Sequence, residues 1–283
     1  IRDTGQKPKG DKKMKKEKKK VTKNPVGNVY ETLDLWKDFM DRHGVDISVT
    51  GIVFSNEGAK GRNPLFDISE DYTEDIFAYW EDEAKGIIEI SAPEPGYEIK
   101  APEDMGEFFM MDEELPDARE IAETIDFLDV SHLDVSQTTE FCSCFAGFGS
   151  TEHSEIIGLE NWDVSRANSL CHMFCGAFSK NDCVKLDLTS WDVSRVEEFI
   201  GMFYEFASNA SEVTLKGVES WKPAKMKYSK EMFMDFAPKS DCHLDLQSWR
   251  PYTTKCLFYD HYNFATGSHS LIKEPKWPKR DDE

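Results

Sequence analysis

No stretch of this chain approaches the roughly 18–20 consecutive apolar residues that a membrane-spanning helix needs, so no transmembrane segment is expected. The charged N-terminal run is followed by no apolar segment of the kind that drives secretion, so an intact secretory signal is not expected there. Nucleotide- and metal-enzyme signatures are missing too. There is no G-x-x-x-x-G-K-[ST], no G-x-G-x-x-G after a strand, no H-E-x-x-H and no G-x-S-x-G. The expectation is therefore a non-enzyme that needs no cofactor and no metal. Positive charge is scarce as well, with 34 Lys and Arg against 54 Asp and Glu, for a net charge of -20.

That scarcity is uneven. Residues 1–25 hold Arg2 and ten lysines against Asp3, Asp11 and Glu17, a net +8 that leaves -28 for the remaining residues. "KPKGDKKMKKEKKKVTK" has too few apolar residues to build a core, which predicts a disordered basic arm over residues 1–25. Its lysines (Lys12, Lys13, Lys15, Lys16, Lys18, Lys19 and Lys20) suit either a solubilising tail or a contact to nucleic acid, an anionic surface or an acidic protein.

What is abundant is repetition. "LENWDVSRANSLCHMFCGAF" (159–178) and "LTSWDVSRVEEFIGMFYEFA" (188–207) are near copies. Phased on the Trp of "WDVS", Leu133, Trp162, Trp191, Trp221 and Trp249 follow one another at 29, 29, 30 and 28 residues. Three residues before each origin stand Val130, Leu159, Leu188, Val218 and Leu246, and five before stand Leu128, Ile157, Leu186, Lys216 and Leu244. Twelve after stand Phe145, Phe174, Phe203, Phe233 and His261, and fifteen after stand Phe148, Ala177, Phe206, Phe236 and Phe264. A fixed period of this length signals stacked repeats. "LDLTSW" alternates like a strand, and Ser194 with Glu197 has capping-box spacing, which predicts a short helix from Arg195 with Phe199, Met202, Phe203 and Phe206 on one face. A repeat of one strand and one short helix buries its faces only against its neighbours.

Before the repeats, "NVYETLDLWKDFMDRHG" predicts an amphipathic helix ending near Gly44. "DISVTGIVF" and "GIIEIS" predict strands, and "YTEDIFAYWEDEA" a second helix. The expected domains are the arm (1–25), a small α/β segment (26–124), the repeats (125–267) and a C-terminal tail (268–283).

"L-x-L-x-x-W-D-V-S" followed by "M-F", clearest at Trp162–Ser165 with Met173–Phe174 and at Trp191–Ser194 with Met202–Phe203, resembles the bacterial surface-protein type of leucine-rich repeat called BspA-like, over residues ~125–265. The resemblance implies an α/β leucine-rich-repeat-like solenoid of about five strand-plus-short-helix rungs. It also implies a surface-displayed, adhesin-like binding role, and it brings no catalytic residues.

Cys142, Cys144, Cys171, His172 and Cys175, with His153, form the one constellation that suggests zinc or a disulfide between repeats. The columns argue instead for core thiols, since Cys142 and Cys171 share theirs with Ile200 and Phe258, Cys144 with Met173, Met202 and Met232, and Cys183 with Val213. Unpaired thiols fit a reducing compartment, whereas the resemblance suggests the cell surface. Asp134, Asp163 and Asp192 form a ladder that reads as turn caps rather than cation ligands. The carboxylates of "SEDYTED" and "YWEDEA" read as a solvated face. Tyr204 and Tyr262, placed in one column thirteen residues after the origin, are the candidate contact residues for a protein or glycan partner. The alternative role is a structural component of a virion or other particle, anchored by the basic arm.

Overall fold

The computed structural model describes residues 19–43, 48–111, 124–149, 151–250, 260–268 and 271–277. The chain enters at β1 (Lys20–Val21) and then forms α1 (Val29–Arg42). The side chain of Asn28 caps α1 by accepting the Glu31 N–H at 3.1 Å. Val29 and Leu33 are buried, and Trp36 and Met40 pack on the core beside them, so the apolar spacing read from the sequence does face inward.

Next come β2 (Gly51–Phe54), β3 (Phe66–Asp67), β4 (Phe77–Asp82), β5 (Ile87–Ser91) and β6 (Tyr97–Lys100). β4 replaces the helix expected from "YTEDIFAYWEDEA". It lies antiparallel between β3 and β5, and its run of Phe77, Tyr79 and Trp80 gains more by pairing in a sheet than a lone short helix could. β7 (Phe127–Asp129), β8 (Leu133–Asp134) and β9 (Glu155–Ile157) complete the first part of the molecule. A six-stranded sheet runs β3-β4-β5-β2-β7-β9, with β5, β2, β7 and β9 mutually parallel. It therefore passes without interruption across residue 124. A second sheet, β1-β6-β8, is parallel throughout. Residues 19–25 of the expected arm are part of this body: Thr22 N–H bonds Glu98 O at 3.0 Å, and Asn24 N–H bonds Asp75 at 3.0 Å.

The later repeats pair as β10 (Cys183–Asp187) with β11 (Glu212–Lys216), and β12 (Leu244–Asp245) with β13 (Ile272–Lys273), both parallel. The inward strand positions are Leu128, Ile156, Leu186, Leu215 and Leu244, not Ile157 and Lys216. An extra residue follows the strand in the second and fourth repeats and causes this one-residue difference. It is a glycine each time, Gly158 (φ 95°) and Gly217 (φ 93°). A Cβ there would meet the Ser131 or Thr189 backbone at 2.3 or 2.5 Å, so only glycine fits.

The "M-F" segments are not helices. In each, i→i+3 bonds such as Cys144 N–H to Phe141 O (3.2 Å) alternate with bonds to the next repeat, such as Ser143 N–H to Cys171 O (2.8 Å). A left-handed residue recurs every fourth position: Ser143 and Gly147, His172 and Gly176, Gly201 and Glu205, Glu231 and Asp235. This four-residue turn period buries Phe199, Met202, Phe203 and Phe206 as a helix would, but it aims the backbone groups at neighbouring repeats. Ser194 and Glu197 make no capping box. The Ser194 N–H goes to Asp192 at 3.0 Å, and the Glu197 carboxylate takes Lys227.

The strand-plus-short-helix solenoid is thus overturned. Among the described residues α1 is the only α-helix, the other helical pieces are three-residue 3-10 segments, and the strands form sheets of six, three, two and two. Successive turn segments meet through single parallel bridges, Asp104–Glu140–Ser169–Glu198–Tyr228–Asp260. Asp104–Met111 joins this row ahead of the first repeat: Phe109 N–H bonds Cys144 O at 2.8 Å. Phe109, Phe145, Phe174, Phe203 and Phe233 stack at 5.3–5.6 Å. Trp162, Trp191, Trp221 and Trp249 stack at 6.1–6.4 Å, and each indole N–H donates to a carbonyl of the preceding repeat.

Candidate functional site

The turn segments leave outward rows beside the buried Phe141, Leu170 and Phe199. One contains Cys142, Cys171, Ile200, Lys230 and Tyr262, in register through bonds such as Gly201 N–H to Lys230 O (2.9 Å) and Glu231 N–H to Tyr262 O (3.0 Å). A parallel row contains Met110, Ala146, Cys175, Tyr204 and Met234, tied by Gly176 N–H to Tyr204 O (2.8 Å) and Glu205 N–H to Met234 O (2.9 Å). Tyr204 and Tyr262 therefore occupy different rows of the same face. The fifth repeat reaches its bridge residue Asp260 four residues later than the fourth reaches Tyr228, which moves every later position. The same slip puts Phe264, not His261, beside Phe233, while His261 stacks on Trp277 at 4.4 Å.

Tyr262 is 68% exposed and Tyr228 is 36% exposed, whereas Tyr204 is half-buried. A bond to the Glu205 carboxylate and partial burial push the Tyr204 hydroxyl up to about 12, so it stays protonated and able to donate. Tyr228, in the bridge row, carried no motif; only its register reveals it. Glu198 bridges to Tyr228 and the Glu231 N–H bonds Tyr262 O, so charged residues border this face.

The cysteines do not share one environment. Cys144 and Cys242 are buried, and burial raises both thiols. Cys142 and Cys183 are exposed, which corrects the core reading of both; Cys183 pairs across to Glu212 while its neighbour Val184 faces Val213. Cys171 and Cys175 are half-buried. Among the described residues no three His, Cys, Asp or Glu side chains gather as a metal site would require. Asp134, Asp163 and Asp192 each accept the N–H of the serine two residues on, at 3.0–3.1 Å.

Of the basic arm, Lys12, Lys13, Lys15, Lys16 and Lys18 lie outside the described residues. Lys19 pairs with Glu98 at 3.5 Å, and the Lys20 ammonium sits 5.3 Å from the centre of the Tyr97 ring. Lys19 and Lys20 thus lie against the body.

A second polar cluster was not foreseen. Glu89, buried on β5, meets Arg62 (2.8 Å) and Lys60 (3.6 Å), and Glu81 meets Arg62 at 3.1 Å. Burial pushes the Glu89 carboxyl up, but hydrogen bonds from Glu81, Arg62 and Ser55 outweigh it and hold it low. Sharing a proton with Glu89, then burial, raises Glu81. Arg62 also donates to the carbonyls of Gly58, Ala59 and Trp80, so all its N–H groups are taken. With every Arg62 donor taken, the cluster clasps the loop after β2 to the sheet. A hollow of 630 Å³ beside Lys100, Glu103, Asp104 and Arg166 mixes both signs of charge, and Gln137 holds Arg166 at 2.8 Å.

No helix among the described residues is long and apolar enough to cross a membrane. No curated protein and no solved structure matches the chain. Residues 111–249, which cover most of the repeats, match the family described as a Mycoplasma protein of unknown function, DUF285, and over that span the chain is similar to it.

Proposed function

We propose that the protein is a non-enzymatic binding protein that engages a protein or glycan partner, in the manner of a surface adhesin, through the turn face carrying Tyr204, Tyr228 and Tyr262. The observation behind this reading is the exposure of Tyr228 and Tyr262 on a backbone fixed by bonds between repeats. A rigid amphipathic ring on a preordered frame gives contact area at little entropic loss. The BspA-like resemblance points the same way. The test is capture of partners from the native source by the full chain and by a Tyr228→Ser/Tyr262→Ser variant. Both side chains are exposed, so the melting temperature should not move. Loss of the captured species supports the face, and equal capture by both proteins sinks it.

The second reading is a structural component of a virion or other particle, anchored through the basic arm. Its support is that Lys19 lies 3.5 Å from Glu98 and the Lys20 ammonium 5.3 Å from the centre of the Tyr97 ring, contacts of the kind an acidic partner would offer the rest of the arm. Release of the partner by salt, and its loss on deleting residues 1–18, would mark this role.

A further inference from the structure

Cys142 and Cys171 stand opposite each other in adjacent repeats, two residues beyond the parallel bridge Glu140–Ser169. Ser143 N–H to Cys171 O (2.8 Å) and Phe141 N–H to Ser169 O (3.1 Å) flank the pair and fix its register. Neighbouring rows in such a ladder lie about 4.8 Å apart. A disulfide accepts Cα separations of about 4.4–6.8 Å, and the row spacing falls within that range. Both side chains lie in the same outward row, with Cys142 exposed and Cys171 half-buried. We propose that Cys142 and Cys171 are a reversible thiol pair, a modification site that small-molecule disulfides oxidise to a bond between the first and second repeats.

Exposure makes Cys142 the sulfur that a reagent reaches first. Burial, then the neighbouring Cys142 sulfur, pushes the Cys171 thiol up to about 12, so Cys171 holds its proton in the reduced pair. In the first step the Cys142 thiolate attacks one sulfur of a disulfide R–S–S–R. The Cys142–SR bond forms, and R–S⁻ leaves and takes a proton. In the second step Cys171 gives its proton to solvent and its sulfur attacks that of Cys142. The Cys142–Cys171 bond forms, and the second R–S⁻ leaves and is protonated. The protein loses two electrons and two protons, and R–S–S–R becomes two R–SH. Excess small thiol reverses both steps. Closure staples the start of the turn face, and this holds whether or not the face binds a partner as proposed above.

The test treats the reduced full chain with oxidised glutathione and maps the peptides by mass. The expected product is a peptide pair joined through Cys142 and Cys171, without glutathione on either, that dithiothreitol separates. Cys183, exposed opposite Glu212, serves as the internal reference and should keep its adduct. Cys171→Ser should trap glutathione on Cys142, and Cys142→Ser should abolish the cross-link. A lasting adduct on Cys142 in the unmodified chain, or a bond from Cys171 to Cys175, overturns the proposal.

Discussion

At the scale of single residues, Phe203 shows how the repeats are held. Its ring is fully buried, stacked on Phe174 at 5.6 Å and on Phe233 at 5.3 Å. Phe203→Ala removes the ring and leaves a cavity bounded by two other rings that cannot collapse into it. A loss of about 3–5 kcal/mol is expected in denaturant unfolding. An unchanged midpoint would show that the stack does not bear on stability. The carboxyl pair Glu81 and Glu89 makes a different residue-level claim. Glu89 is held low, so its contribution is present above the ordinary carboxylate range near 4.5 and is lost as the pH falls through its folded value. Glu81 is raised, so its ionised form opposes folding above its folded value and its protonated form does not. Glu81→Gln should therefore raise the melting temperature at about pH 7, and the gain should vanish in acid, where Glu81 is already neutral. A gain independent of pH would rule out the shared proton.

At the scale of elements, α1 was legible and the turn segments were not. Asn28, Val29, Leu33, Trp36 and Met40 carry a cap and a 3.6-residue stripe that admit one reading. Phe199, Met202, Phe203 and Phe206 carry a stripe just as good, yet a left-handed residue at every fourth position turns it into stacked turns. Over one short repeat, a period of four cannot be told from 3.6. Gly147 shows why turns win. A Cβ there would lie 1.8 Å from Met111 O, because the neighbouring segment is bonded directly against it. A helix would have spent those backbone groups on itself. β1 supports another element-scale prediction. Deleting residues 1–18 should leave the melting temperature unchanged. Deleting 1–25 should lower it, because Thr22 and Asn24 lose their bonds to Glu98 and Asp75. Equal melting temperatures for both truncations would show that β1 adds nothing.

At the scale of the whole molecule, the parallel strands and bridges run from the N-terminal sheet into the repeats. β2 serves as the neighbour of β7, and Asp104–Met111 as the neighbour of the first turn segment. No period in the sequence announces either, because neither has the "WDVS" origin. The candidate face was half legible. Tyr204 and Tyr262 were named from the sequence, but the row of Tyr262 follows from the slip between Trp249 and Asp260, and the part of Tyr228 from its bridges to Glu198 and Asp260. The exposure of Cys142 and Cys183 was hidden too, since a column label does not say which way its side chains turn.

Composition and spacing alone carry the acidic balance of the body, the repeat period, the stacked Trp rings and the stack of Phe145, Phe174, Phe203 and Phe233, though not Phe109 at its head. The tertiary structure decided whether each turn became a helix, where glycines shifted the strands, and which rows met water. Those outcomes depend on where backbone N–H and C=O groups find partners, and here the partners lie in the next repeat, about thirty residues away, beyond the reach of any local pattern.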